Sequence, residues 1–251
     1  YTNLTKSQAK SSKKWLFIDL RNTFVQPNKN KLNSLLNQIY YLLAKDFKVE
    51  WRNKYGIASL ILYVLSSIFI IYIGLIQLDP RIWNALYWIL MLFAAISTIV
   101  KNPSQESQAR ALYEYTLYSP YAVILSRYIY HAVWLIILGM MTMFILSILT
   151  IQPIRNFGQF ILLLCLASAS LSTIFTFVGF LGQKTNNPST IIAILGFPLT
   201  IPIFLTILKI SAQSMGMLHD TSVINDWMIL SSIWIILAAI SIILFPYLWR
   251  E

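Results

Sequence analysis

Residues 159–182 read QFILLLCLASASLSTIFTFVGFLG, twenty-four residues without a single charge. At 1.5 Å per residue a helix of this length reaches about 36 Å, more than the ~30 Å hydrocarbon core of a bilayer. The run is continuously apolar, whereas a barrel strand would alternate polar and apolar residues over ~10 residues. Only a helix closes all its backbone hydrogen bonds within one such segment. The small residues Ala167, Ser168, Ala169, Ser170, Ser172 and Thr173, followed by Gly179 and Gly182, predict a face on which neighbouring helices approach closely.

Five further runs follow the same rule. Residues 57–78 end at Asp79-Pro80-Arg81, and residues 82–100 stop at Lys101-Asn102-Pro103. A third run goes from Ala122 to Thr150 and is ended by Pro153 and Arg155; residues 189–208 and 227–249 complete the set. The second and fifth of the six are the shortest for a crossing. Composition agrees: 57% of the 251 residues are hydrophobic, 11% are charged, and the mean hydropathy is +0.66. An ordinary soluble domain carries about 25% charged residues. The expected fold is therefore all-α, a polytopic membrane protein with six transmembrane helices.

The formal net charge of +10 is concentrated at one end, with eleven of the nineteen Lys and Arg within residues 1–54. This reads as a positive-inside flank and not as a nucleic-acid surface. With the N-terminus in the cytoplasm, 16 of the 19 basic residues fall on the cytoplasmic side, leaving Arg81, Arg155 and Lys209 outside. Both termini are thus expected to be cytoplasmic. Trp51, Trp83, Trp227, Tyr247 and Trp249 fall at span ends, where interfacial aromatics belong. The stretch before residue 57 does not read as a signal peptide.

Within it, residues 33–52 place Leu35, Leu36, Ile39, Leu42, Leu43 and Phe47 on one helical stripe, with Lys45, Lys48 and Arg52 largely off it. This predicts an amphipathic helix lying on the cytoplasmic leaflet. The expected organisation is a basic, disordered extension over 1–32, the amphipathic interfacial helix over 33–56 and a six-helix transmembrane domain over 57–251. Residues 209–226 form the longest outer loop and are expected to carry a short surface helix or lid.

Catalytic signals are missing. The two histidines, His131 and His219, are expected on opposite sides of the membrane, and no HExxH or GxSxG occurs. All nine acids are read as lying in loops, flanks or termini, which argues against a proton-coupled transporter. Gly182-Gln183-Lys184-Thr185 is not a P-loop, because Gln183 separates the Gly from the Lys. If ATP drives the protein, another subunit hydrolyses it. A single cysteine, Cys165, excludes an internal disulfide. His131 is read as hydrogen-bonded within the bundle near the cytoplasmic interface, with haem ligation the alternative. His219 is read as an exposed loop residue.

Two segments carry functional expectations. Gly196, Pro198 and Pro202 fall near the middle of the fifth span and form a candidate gating hinge, since proline removes backbone donors. Residues 105–120 form the longest cytoplasmic connection and predict a short helix along the membrane surface. Glu106, Arg110, Leu112, Tyr113, Glu114, Tyr115, Leu117, Ser119 and Pro120 are the candidate interface for a partner ATPase, combining apolar anchors with charges.

Three pieces resemble a known family. Residues 45–54 (KDFKVEWRNK), residues 106–120 and Phe197-Pro198-Leu199-Thr200-Ile201-Pro202 occur in the order and spacing of the haem exporter protein B family (CcmB), and the resemblance covers about 45–251. Residues 1–32 extend beyond that family's usual start. The resemblance implies an ABC-2-type permease in the bacterial inner (cytoplasmic) membrane, acting in cytochrome c maturation. It implies a CcmA-like ATPase that binds ATP, a CcmC-like haem-handling protein, a CcmD-like small subunit and a CcmE-like haem chaperone as partners. The complex would handle haem and release the haem-loaded chaperone; this chain itself is expected to bind no cofactor or metal. Three alternatives stand beside it: an ABC-2-type permease exporting a polysaccharide, lipid or drug, an intramembrane enzyme, and a scaffold. The missing catalytic residues disfavour the enzyme.

Overall fold

A computed structural model describes residues 35–52, 54–74, 79–100, 117–150, 153–183, 185, 188–218 and 223–250. Among these residues every regular element is helical: α1 (Leu35–Arg52), α2 (Lys54–Gly74), α3 (Pro80–Val100), α4 (Pro120–Leu149), α5 (Phe157–Gln183), α6 (Pro188–Ser214) and α7 (Val223–Arg250). The predicted basic extension over 1–32 lies outside the described residues, as does His219.

Among the described residues five helices are long and apolar enough to cross a membrane, namely α3 to α7. In α2 the apolar part among the described residues is Ala58–Gly74, about 26 Å of helix, and residues 75–78 of the predicted first span lie outside them. The chain is a multi-pass membrane protein. Local chemistry sets the helix boundaries. Asp79 starts α3 as well as ending the run before it: its Oδ1 accepts from the Arg81 N–H at 3.1 Å and its carbonyl from the Trp83 N–H at 2.9 Å. Ser119 caps α4, its hydroxyl accepting from the Ala122 N–H at 3.3 Å, and Pro120 follows at the position that tolerates a missing donor.

Helices α3 to α7 alternate in direction, so the bundle has two distinct ends. At one end α1 meets the start of α4 and the ends of α5 and α7, where Phe180 and Phe245 pack at 4.7 Å and Leu42 shares a buried cluster with Ala122, Val123 and Tyr128. At the other end the start of α3 meets the end of α4, where the Trp83 indole N–H donates to the Thr150 hydroxyl at 3.2 Å. The same turn of α3 meets α6, where the Asn84 amide donates to the Leu208 carbonyl at 3.1 Å.

Helix α5 is the centre. Buried residues make up 67% of its spanning window, against 17% for α7, which exposes Ile229, Ile236 and Ile243 to the surroundings. Its small residues Ala167, Ser168, Ser170, Ser172 and Thr173 are all buried, as their pattern predicts. Close approach also explains Gly139. A Cβ there would sit 2.5 Å from Leu164 Cδ1, and its carbonyl accepts from the Tyr87 hydroxyl at 3.2 Å. Three helices meet at that point.

Two expectations are corrected here. The outer loop over 209–226 is shorter than expected. Helix α6 continues to Ser214, because Lys209 and Gln213 have a polar partner on α7, and α7 begins at Val223. Trp83 is not an interfacial aromatic. It is buried, stacked on Tyr87 at 5.4 Å and packed against Phe160 at 6.2 Å. Its indole N–H finds Thr150, so a polar tip at a span end does not need the membrane surface.

Candidate functional site

The amphipathic stripe of α1 is only partly open: Leu35 and Leu36 are exposed, while the stripe from Ile39 to Phe47 is at least half-covered. It is packed along the first turns of α4, and Leu42 is buried there. The physical reason is that the same face carries Gln38 and Asp46, which need polar partners that acyl chains cannot supply. Gln38 Oε1 accepts from the Ser119 N–H at 3.2 Å and from its hydroxyl at 3.0 Å. Asp46 is buried, with its Oδ2 3.6 Å from Arg127 Nη1 and its Oδ1 3.6 Å from Lys45 Nζ. Phe47 meets Tyr130 edge-on at 5.2 Å and Trp134 at 6.4 Å. Leu36, Tyr40, Tyr41, Lys48, Trp51 and Arg52 face outward.

These contacts form a ladder. Gln38 to Asp46 is eight residues, and so is Ser119 to Arg127. Each interval is about 12 Å of helix. The two helices therefore run side by side in the same sense over this stretch. A helix lying flat across α4 would touch it at one crossing point only.

Three residues beyond Arg127, Tyr130 meets His131 at 5.2 Å. His131 is 3% exposed, as expected for a residue within the bundle. Its Nδ1 finds no hydrogen-bond partner among the described residues, nor does Trp134 Nε1. The expectation of a hydrogen-bonded histidine is not met at that nitrogen.

The other end of the bundle holds a second buried carboxylate. Asp226, in the first turn of α7, accepts from Lys209 Nζ and from the Gln213 side-chain amide, both at 2.9 Å. The helix N-terminus further favours its negative charge. This corrects the reading that every acid lies in a loop, flank or terminus: Asp226 is within the apolar window Ile224–Tyr247. It is neutralised by a neighbour, so it is a structural ion pair in form. The turn beside it is fixed by the Ser214 carbonyl, which accepts from the N–H groups of Arg155 at 3.2 Å and Asn156 at 3.0 Å.

Of the candidate ATPase-interface residues, Glu106, Arg110, Leu112, Tyr113, Glu114 and Tyr115 lie outside the described residues. Leu117 is exposed, Ser119 caps α4 and bonds to Gln38, and Pro120 is the first residue of α4. In the candidate hinge, α6 runs unbroken through Pro198 and Pro202, whose rings are exposed. Gly196 has a packing role: a Cβ there would lie 2.9 Å from Phe175 Cε1 of α5. Among the described residues no group of three or more His, Cys, Asp or Glu could hold a metal ion.

Sequence reading missed Gln38, Asp46 and Arg127 as one unit. The signal was present. Asp46 follows Leu42 by one turn on the apolar stripe, and Arg127 interrupts an otherwise apolar span. A lone acid and a lone base in two apolar settings invite pairing.

Residues 37–247 match the family described as CcmB protein. No curated protein matches the chain at a significant level. The match covers most of the chain, which therefore belongs to the CcmB family and is a membrane component of the haem exporter ABC system of cytochrome c biogenesis.

Proposed function

From that membership we propose that this chain is the non-catalytic permease subunit of an ABC transporter acting in cytochrome c maturation. A CcmA-like subunit hydrolyses ATP. The complex, with CcmC-like and CcmD-like subunits, handles haem and releases a haem-loaded CcmE-like chaperone. The family match over 37–247 carries this reading. In it the chain crosses a bacterial inner membrane six times, α2 being the first span, with both termini and α1 on the cytoplasmic side. The domain division follows: an extension over 1–32, α1 and its flanks over 33–56, and the permease over 57–251. No cofactor is bound by this chain itself.

The ATPase docks on residues 106–120, with Tyr113, Tyr115 and Leu117 as anchors and Glu106, Arg110 and Glu114 as charge partners; Leu112 supports the anchors. Ser119 and Pro120 join that segment to α4, which supports the assignment because force applied there enters the bundle directly. Pro198 and Pro202, with Gly196, mark where α6 bends during the cycle.

The test is co-purification of the ATPase from mild detergent at equal expression. Tyr113→Ala or Leu117→Ala is expected to lower ATPase recovery more than Glu106→Ala, and Arg110→Glu more than Arg110→Ala. Full recovery and full cytochrome c maturation with several of these positions replaced would sink the interface. Orientation is checked in a Cys165→Ser background. A cysteine at the exposed Leu218 should react from outside and one at the exposed Trp51 from the cytoplasm; the reverse pattern would invert the topology.

A further inference from the structure

We propose that α1 and the first turns of α4 form one rigid arm, and that Gln38, Asp46 and Arg127 are positioning residues that carry movement of the 106–120 segment into the bundle. This rests on the ATPase docking at that segment. Ser119 is where the segment ends and α4 begins, and Gln38 of α1 holds both its backbone N–H and its hydroxyl. Two turns further along, Asp46 and Arg127 form a second rung. Between them Leu42 is packed with Ala122 and Val123, and beyond them Phe47 packs against Tyr130 and Trp134.

Four contacts in matched register resist both sliding and rotation. A slide of one turn would separate Asp46 from Arg127 and cost the buried carboxylate its partner on the other helix. Two helices bent together are also stiffer than one, so a push at Ser119 displaces the whole of α4 and does not fray its first turn. Since α1 leads into α2 with one residue between them, the same push reaches the first apolar helix as well. The arm thus has two outputs, α2 and α4, from one input.

The arm makes predictions that a merely stabilising contact does not. In the complete complex, Asp46→Arg and Arg127→Asp are each expected to lower cytochrome c maturation at least tenfold while ATPase recovery stays near normal. The double swap should return maturation to within threefold of the unaltered chain. In a Cys165→Ser background, Gln38→Cys with Ser119→Cys should lose activity several-fold when reduced and regain it when bridged by a short thiol cross-linker. A bridged complex that binds ATPase but loses maturation would mean that α1 moves against α4, and the arm would be wrong. So would a swap that inserts normally, recovers the ATPase and fails to restore maturation.

The chain alone gives a second readout. Backbone amide exchange in residues 38–47 and 122–130 should rise together, tenfold or more, in either single variant and fall again in the swap. Independent behaviour of the two segments would overturn the arm whether or not an ATPase binds. Failure of any ATPase to co-purify with the unaltered chain would instead count against the proposed function, and the exchange result would still decide the arm.

Discussion

Among the described residues each end of the bundle buries one carboxylate, and the two are held differently. At the α1 end Asp46 faces Arg127 and Lys45 at 3.6 Å, in a junction shared with the Gln38–Ser119 bonds and the Phe47 ring contacts. At the opposite end Asp226 accepts two short bonds of 2.9 Å, from Lys209 and Gln213, and both donors come from one helix. The first arrangement spreads its hold over many groups along four turns. The second concentrates it at a point. Distributed contacts keep two helices parallel under load, whereas a point contact fixes a corner, and the next polar ties of α7 come only further along, from Trp234 to Thr173 and from Tyr128 to Ser241. The low burial of α7 fits that difference. The α1 end is built as a lever and the opposite end as an anchor.

The largest effect should come from breaking the anchor. Lys209→Met leaves Asp226 buried with only Gln213 as a donor, and should cost about 3 kcal/mol, at the lower end for breaking a buried ion pair. Asp226→Asn should cost less, because the Lys209 side chain is 42% exposed and its charge can turn to solvent. Replacing both, as Lys209→Met with Asp226→Leu, should recover most of the loss. Thermal unfolding in detergent, followed by tryptophan fluorescence, ranks the three. A Lys209→Met protein as stable as the parent would show that the Lys209–Asp226 pair does not anchor this end.

The turn beside the anchor is the next test. Gly216 has φ of 72°, and a Cβ there would lie 2.8 Å from Arg155 Cδ. Gly216→Ala should cost about 1–2 kcal/mol from the left-handed backbone, and Gly216→Val more, with Gly216→Asn the mildest of the three. If the alanine variant unfolds at the parent's temperature, the turn is not fixed in this conformation.

How far the sequence foretold this depends on what kind of signal each feature leaves. Five of the six expected spans were legible because an uncharged run of some twenty residues has one physical use, and the small residues of α5 announced a closely packed face. The Asp79-Pro80-Arg81 turn was read as a stop, and it is equally a start, since Asp79 caps the next helix. Periodicity could locate the stripe of α1 but could not say what covers it, because lipid and a neighbouring helix both accept Leu and Phe. The discriminating residues were Gln38 and Asp46, whose polar atoms need partners of defined position. Trp83 misled for a related reason: its position at a span end suits an interface, and its burial depends on Tyr87, Phe160 and Thr150, which only the fold brings together. The ends of α6 and α7 were misplaced because Lys209, Gln213 and Asp226 look like loop residues until they are paired.

At the lever end, Tyr128 ties α4 to both α7 and α5. Its hydroxyl donates to Ser241 Oγ at 2.6 Å, and its carbonyl accepts from Ser172 Oγ at 2.6 Å. Tyr128→Phe removes the first bond alone. Ser241 still donates to the Ala238 carbonyl at 2.9 Å, so no unsatisfied donor is left. The expected cost is about 1 kcal/mol by the same unfolding measurement. A much larger loss would mean that α7, despite its exposed face, is held as tightly at this end as at the anchor, and the contrast between the ends would shrink.

The finest test separates the cap of α4 from its clamp to α1, because one side chain serves both. The Ser119 hydroxyl accepts from the Ala122 N–H and donates to Gln38 Oε1. Ser119→Ala loses both and should cost just under 1 kcal/mol, chiefly for the cap. Ser119→Asp keeps the cap, since a carboxylate is a good acceptor at a helix start. It cannot donate to Gln38. If the backbone N–H of residue 119 continues to hold Oε1, the carboxylate faces an oxygen; if the amide turns to donate to the carboxylate, the backbone N–H loses its acceptor. In either case one bond of the rung is lost while the helix start is preserved. Global stability should then change by about 0.5 kcal/mol or less, whereas amide exchange near Gln38 should rise. Gln38→Leu supplies the complementary case, with an intact cap and no rung. If Ser119→Asp and Gln38→Leu both leave exchange in α1 untouched, the rung at Ser119 contributes nothing to the lever, and the hold on α1 would rest on Asp46, Leu42 and Phe47 alone.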